Sequence, residues 1–363
     1  VILILQHVIL AAWDQCYHRI GQVGSSSSSS STASRDTSFA VVINTYKRPD
    51  MLRQAIQHYA DKCGRRYKVD QVFVVWAEQG VGVPEPDSFF DDGHSLRASN
   101  DNSNPNRAHV EVLQATKDSL NSRFEPIPQL QTTSVFMVDD DIRVTCPSLL
   151  LAFQAWRAHP ESMVGYYPRL SSPPIFHSRE NPSLSSLQEH PLVYHTWPIV
   201  HWRHRFNFVL TKACFLHSKY LDLYTNDDTF PREIKNHVDQ HMNCEDIAMS
   251  MLVANFTRYQ ASLSLPNSSD ATFAKAARPI YVEGQVSDLG LFGGISTGAG
   301  HMTTRSECLT KLDAMFRKQG WRSPLDEEYS LTESAWIRHA PGFWWQYNPS
   351  NFFEWFSFAN TFT

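Results

Sequence analysis

An α/β fold with parallel strands covered by helices is what this sequence predicts, and three observations carry the prediction. The run FAVVINTY (39–46) is apolar and β-branched, and it is stopped by Lys47-Arg48-Pro49. MLRQAIQHYADKC (51–63) then spaces apolar residues at helical intervals, and QVFVVWAE (71–78) is a second apolar run of strand length. A right-handed β-α-β crossover makes such strands parallel, and parallel strands buried on both faces read as unbroken apolar runs.

The pattern continues along the first half. HVEVLQATKDSLNSRF (109–124) reads as a helix, SVFMV (134–138) as a strand, and PSLLLAFQAWRAHP (147–160) as a helix opened by Pro147. Ligands of open α/β sheets sit beyond the carboxyl ends of the strands, where Asn44 to Arg48, Ala77-Glu78 and the triplet Asp139-Asp140-Asp141 fall. The second half is less regular. FNFVLTKACFL (206–216) reads as one or two strands, SKYLDLY (218–224) as a short helix, and NCEDIAMSMLVANF (243–256) as an amphipathic helix. GLFGGISTGAG (290–300) reads as a mobile glycine-rich loop.

Composition narrows the function. A net charge of -5 without a long Lys/Arg block excludes the footprint of a nucleic-acid binder. Six cysteines without a C-x-x-C pair give no zinc or thiol-redox motif and leave room for one or two disulfides. There is no G-x-x-x-x-G-K-[ST] phosphate loop. Residues 1–38 read as a truncated apolar segment, VILILQHVILAAW, followed by a flexible serine run (25–31). The apolar segment falls short of the roughly 20 residues that span a bilayer. It reads either as the remnant of a type II signal-anchor or as a stray apolar terminus. Residues 39–330 form the expected folded domain, and 331–363 an aromatic-rich tail. The triplets beginning at Asn255 and Asn267 are glycosylation sequons, in keeping with a lumenal glycoprotein.

The Asp triplet at the mouth of a buried strand calls for a cation, because burying even one uncompensated charge costs several kcal/mol. An oxygen-only ligand set suits Mg²⁺ or Mn²⁺. Alternation along an extended chain lets Asp139 and Asp141 serve one ligand while Asp140 points elsewhere; the competing reading is a solvated Asp-rich turn. For NCEDIAM, Asn243 can cap the helix with Asp246 reaching back in a capping box, or Asp246 can serve chemistry. Arg48, Arg123 and Arg305 can each hold phosphate or a base carbonyl by bidentate bonds. Cys244 can pair with Cys308, although sequence does not fix the connectivity.

Read in order, VVINTYKRPDML, VFVVWAE, DSLNSRFEP, VFMVDDDI, MVGYYPR, FVLTKACFLHSKYL, HMNCEDIAMSMLVA and GHMTTRSEC resemble the exostosin-like glycosyltransferases, specifically their C-terminal α-N-acetylhexosaminyltransferase domain. The resemblance implies a GT-A fold, with a Rossmann-like nucleotide-sugar half on a mixed sheet and a smaller acceptor half. It implies a retaining, metal-dependent transferase using Mn²⁺ (or Mg²⁺) and a UDP-N-acetylhexosamine donor, acting on a glycan or glycolipid in the endoplasmic reticulum or Golgi lumen. Homo-oligomerisation stays open. The triplet then looks like a D-x-D motif, with Asp139 and Asp140 near the nucleoside and Asp141 on the metal. By the same resemblance Asn44, Arg48, Asp118, Arg123 and Glu245 line the nucleotide-sugar pocket. Asp246 stands beside the anomeric carbon, Arg305 holds the pyrophosphate, and Cys244–Cys308 is the family disulfide. Asp118 replaces a frequent Asn, and Ala77-Glu78 also departs from an Asn found in some members, so both changes touch donor selection. The inserts 87–109 and 172–205 lie outside the shared pattern.

Overall fold

The computed structural model describes residues 36–90, 104–174, 191–263, 274–290 and 301–331. The apolar N-terminal segment, the serine run, the glycine-rich stretch from residue 291, the middle of both inserts and the tail from residue 332 lie outside the described residues. Among the described residues no helix is long and apolar enough to cross a membrane.

The first half follows the expected β-α-β order. Strand β1 (Phe39–Thr45) leads to helix α1 (Pro49–Ile56), with Pro49 at its first turn. The helix runs on as a π-helix over Gln57–Cys63. Tyr59 Oη in that stretch donates to the Ile142 carbonyl (3.0 Å), and a disulfide joins Cys63 to Cys146. Strand β2 (Val69–Trp76) follows and is almost wholly buried.

The segment expected as one helix at 109–124 is instead strand β3 (His109–Gln114) followed by a short 3₁₀ turn at Leu120–Phe124. His-Val-Glu-Val-Leu-Gln alternates with period two, and it adds to the free edge of β2 in parallel, from Gln71 opposite His109 to Trp76 opposite Gln114. The pairing available at that edge overrides the helical propensity of Glu, Leu and Gln.

Strand β4 (Ser134–Asp139), the short β5 (Ile142–Val144) and helix α2 (Cys146–Ala158) come next. Then follow β6 (Val164–Gly165), β7 (Pro168–Ser172), β8 (Val193–His195), α3 (Trp197–Arg203), β9 (Arg205–Phe206) and β10 (Phe208–Val209). Beyond them come β11 (Ala213–His217), α4 (Lys219–Thr225), α5 (Arg232–His241) and α6 (Glu245–Leu263). The described chain ends with β12 (Ile280–Tyr281), β13 (Val286–Asp288), α7 (His301–Lys318) and β14 (Tyr329–Ser330). FNFVLTKACFL is thus three short strands. The described end of the second insert supplies β8 and α3.

One seven-stranded sheet dominates, in the order β12-β6-β11-β4-β1-β2-β3. β1 pairs in parallel with both β2 and β4, whereas β11 runs antiparallel to β4 and β6, so the sheet is mixed. Its core is aromatic. Phe39, Phe136, Phe153 and Phe215 stack between the sheet and α2, and all four are buried. Rings in such tilted contacts contribute about 0.5–1.5 kcal/mol per pair beyond their burial. Helix α6 departs from the amphipathic expectation: every residue from Glu245 to Val253 is buried, because the sheet and neighbouring helices enclose it.

Candidate active site

The site forms at the edge of the sheet where β1, β2 and β4 finish. β4 ends at Asp139, and Asp140 and Asp141 make the turn into β5, so strand alternation stops before the triplet is complete. Each carboxylate consequently has its own surroundings. Asp139 accepts a hydrogen bond from Arg123 Nη2 (2.8 Å). Asp140 is fully buried, accepts from Thr45 Oγ1 (2.7 Å) and lies 2.5 Å from Arg48 Nη2. Asp141 accepts from Arg48 Nη1 (2.9 Å). Arg48 therefore spans Asp140 and Asp141.

Burial pushes the Asp140 carboxyl up to about 6, against the pull of the Thr45 hydroxyl and Arg48. It pushes Asp139 up too, with Arg123 opposing. Asp141 keeps one oxygen, Oδ1, buried without a hydrogen-bond partner. The chain returns tightly against this residue. Leu289 N donates to the Asp141 carbonyl (2.9 Å), and a Cβ added at Gly290 would stand 2.0 Å from Asp141 Oδ2.

The second set of charges belongs to the start of α6. Cys244 holds a left-handed backbone (φ 78°), and Glu245 and Asp246 fill the first turn, where the helix dipole favours negative charge. Both Asp246 oxygens accept from Arg305 Nη2, at 2.6 Å for Oδ1. Arg305 Nη1 donates to Asn243 Oδ1 (3.0 Å), and the guanidinium lies 4.8 Å from the Tyr194 ring centroid. The capping-box expectation is corrected here. Asn243 faces Arg305, and Asp246 accepts from the next backbone amide, Ile247 N (2.7 Å). Burial alone would lower the Arg305 pKa; the charge and hydrogen bond of Asp246, together with Tyr194 and Glu245, outweigh it, and the net shift is upward. Burial pushes Glu245 up to about 7, with the Asp246 charge adding to it and Arg123 opposing.

Arg123 joins the two sets. Its side chain is 3% exposed. It donates to Asp139, to Glu245 Oε1 (3.3 Å) and to the Thr211 carbonyl (3.2 Å). Arg123 thus ties the Asp turn to the start of α6. The Cys244–Cys308 disulfide is present and fixes the α6 entry to the α7 turn that carries Arg305. Together five carboxylates meet three guanidiniums here. The excess of negative charge, the partnerless Asp141 oxygen and the absence of His or Cys from the set fit a hard divalent cation.

A family model described as the glycosyl transferase family 64 domain matches residues 39–331. The chain belongs to glycosyl transferase family 64. Among family relatives, it is 33% identical over 281 residues to "Glycosylinositol phosphorylceramide mannosyl transferase 1" of Arabidopsis thaliana, covering 77% of this chain and 72% of that protein. It is 26% identical over 275 residues to human "Exostosin-like 2", covering 76% and 72%. The match to human "Exostosin-2" is 29% over 281 residues, covering 77% of this chain but only 32% of the relative. The chain thus corresponds to about a third of Exostosin-2.

The family 64 chain gathers these charges in three neighbouring ion-pair groups: Arg48 with Asp140 and Asp141, Arg123 with Asp139 and Glu245, and Arg305 with Asp246. Asn44 sits opposite Asp139 in the sheet, and its carbonyl accepts from Asp140 N (3.1 Å). Asp118 stands apart, exposed, accepting from Tyr46 Oη (3.0 Å), and Glu78 accepts from Lys47 N (2.8 Å). Sequence reasoning missed Thr45, Lys212, Asp288 and Gly290. Gly290, at the head of a glycine-rich stretch, carried the one usable signal: a residue without Cβ where backbone must pass a side chain.

Proposed function

We propose that this family 64 chain is a metal-dependent, retaining glycosyltransferase of GT-A architecture, taking a nucleoside-diphosphate sugar as donor and the glycan headgroup of a glycolipid as acceptor. The observation that carries this is the Arg123 tie. It brings a carboxylate turn suited to a metal and an arginine-held carboxylate, Asp246, to the same end of one sheet. Asp141 would hold Mn²⁺ or Mg²⁺, which when bound neutralises the departing diphosphate. Asp246 would stabilise positive charge developing at the anomeric carbon, and Arg305 would fix its orientation. Arg48 would shift from the carboxylates toward phosphate oxygens once the cation takes over Asp141.

The resemblance implied UDP-N-acetylhexosamine as donor. A second reading, GDP-mannose, has a specific observation behind it. Glu78 and Asp118, at the ends of β2 and β3, are carboxylates and only accept hydrogen bonds, and guanine presents two adjacent N–H donors on one edge where uracil presents one. The relative named as a mannosyl transferase supports the same reading, and its name points to an inositol-phosphoceramide glycolipid as acceptor class. Two disulfides agree with work in an oxidising lumen.

A panel of UDP-GlcNAc, UDP-GalNAc and GDP-mannose with Mn²⁺, read by mass detection of released UDP or GDP, tests the proposal. Release of one nucleotide, dependent on metal and on Asp141, is the expected result. No release from any donor, with or without a glycolipid acceptor, would overturn it.

A further inference from the structure

The Asp turn is flanked by cations on both sides, because β4 has β1 on one side and β11 on the other. On the β1 side stands Arg48, whose Nη atoms are engaged by Asp140 and Asp141. On the β11 side stands Lys212, in the connection from β10 to β11. Its carbonyl accepts from Asp139 N (3.1 Å), so its backbone is fastened to the first residue of the triplet. Its Nζ lies 2.7 Å from Asp288 Oδ2 and 5.5 Å from the Tyr167 ring centroid. Asp288 is placed by the β13–β5 pairing opposite Ile142, the residue after Asp141, and its Oδ1 is buried without a partner. Lys212 is 19% exposed and its ammonium carries three donors, one of which meets Asp288. Arg123 and Arg305, by contrast, are buried against carboxylates.

We propose that Lys212, held by Asp288, is a second cationic contact for the diphosphate of the donor, meeting it from the side opposite Arg48. A diphosphate presents two phosphoryl groups with more charge than one divalent ion neutralises. A lysine on the far flank of the turn supplies a point charge with freely oriented donors. This inference rests on the nucleoside-diphosphate reading of the site, and it assigns one residue to the phosphate end of the donor.

Calorimetry at fixed Mn²⁺ with GDP against GMP, and UDP against UMP, tests it on the whole chain. In Lys212→Met the preference for diphosphate over monophosphate should fall at least about tenfold, the scale of one hydrogen bond between charged groups, while Lys212→Arg should keep most of it. Asp288→Asn retains the lysine and an acceptor for it but removes a negative charge, so diphosphate affinity should rise; this arm stands even where the methionine variant folds poorly. An unchanged preference in a folded Lys212→Met protein, or a fall in Asp288→Asn, would overturn the inference alone. A wild-type protein that binds neither diphosphate would overturn the site reading and this inference with it.

Discussion

Asp246→Asn separates the catalytic and structural contributions of the buried pair. In the wild type the Asp246 and Arg305 side chains are 8% and 7% exposed and doubly bonded. Asparagine keeps the shape and one acceptor but leaves the Arg305 charge buried against Asn243 and the Tyr194 ring. Breaking one partner of a buried pair costs ~3 to 5 kcal/mol, and the two remaining neighbours place this case near the lower end. At this chain length that corresponds to a fall in Tm of roughly 4 to 7 °C. Turnover should fall by at least about 100-fold, because a negative charge next to the developing cation is lost. The double variant Asp246→Asn/Arg305→Met removes the stranded charge and should recover at least half of the lost stability without recovering turnover. Chemical denaturation and donor turnover on both proteins are the assays. Near wild-type turnover in the single variant, or turnover returning together with stability in the double, would refute the catalytic role and leave the pair purely structural.

Other outcomes follow from the same geometry. Asp141→Ala should abolish the Mn²⁺-dependent part of nucleoside-diphosphate binding, read by calorimetry with and without the ion. Gly290→Ala, whose Cβ would stand 2.0 Å from Asp141 Oδ2, should weaken that binding at least about tenfold with little change in metal-free behaviour. Glu245 titrates near its ordinary 4.5 in the unfolded chain and about 7 in the fold. The unfolded state therefore loses its proton first, and stability falls as pH rises from about 4.5 through 7. Glu245→Gln should flatten that fall, gaining on the wild type at pH 8 and not at pH 4, as denaturation across pH would show. Replacing Cys244 and Cys308 together by Ala releases a loop closed over 64 residues and should lower stability by ~4 kcal/mol, measured by denaturation under non-reducing conditions.

The elements legible in the sequence were those whose burial leaves a one-dimensional trace. β1, β2 and β4 are covered on both faces and read as apolar runs, and α2 announces itself through Pro147 and its spacing. β3 was misread because its pairing partner, the free edge of β2, is not visible in its own residues. The charged motifs pointed to the right neighbourhood, but not to who pairs with whom. The triplet looked like an alternating strand until the turn at Asp140 broke the alternation, and nothing in the sequence showed that Arg123 reaches both Asp139 and Glu245. Thr45, Lys212 and Asp288 lie between about 70 and 240 positions from one another along the chain, and only sheet register brings such residues to one turn.

The reversed strand β11 has a consequence for how this architecture can change. Where all strands run the same way, only chain leaving a strand reaches the ligand edge, and chain entering one is spent on the far side. β11 inverts that rule for one position: its entrance, at Lys212, touches Asp139, and its exit, at Ser218, touches Thr133 at the opposite end of β4 (2.8 Å). Lengthening the connection between β10 and β11 would therefore build new surface over the carboxylates, from the flank that the outgoing loops of β1 and β2 do not reach. Lengthening the connection between β11 and α4 would add the same number of residues at the far end of β4, away from the carboxylates. Two insertions only a few residues apart in sequence would thus meet opposite fates, one building over the carboxylates and the other falling at the opposite end of β4.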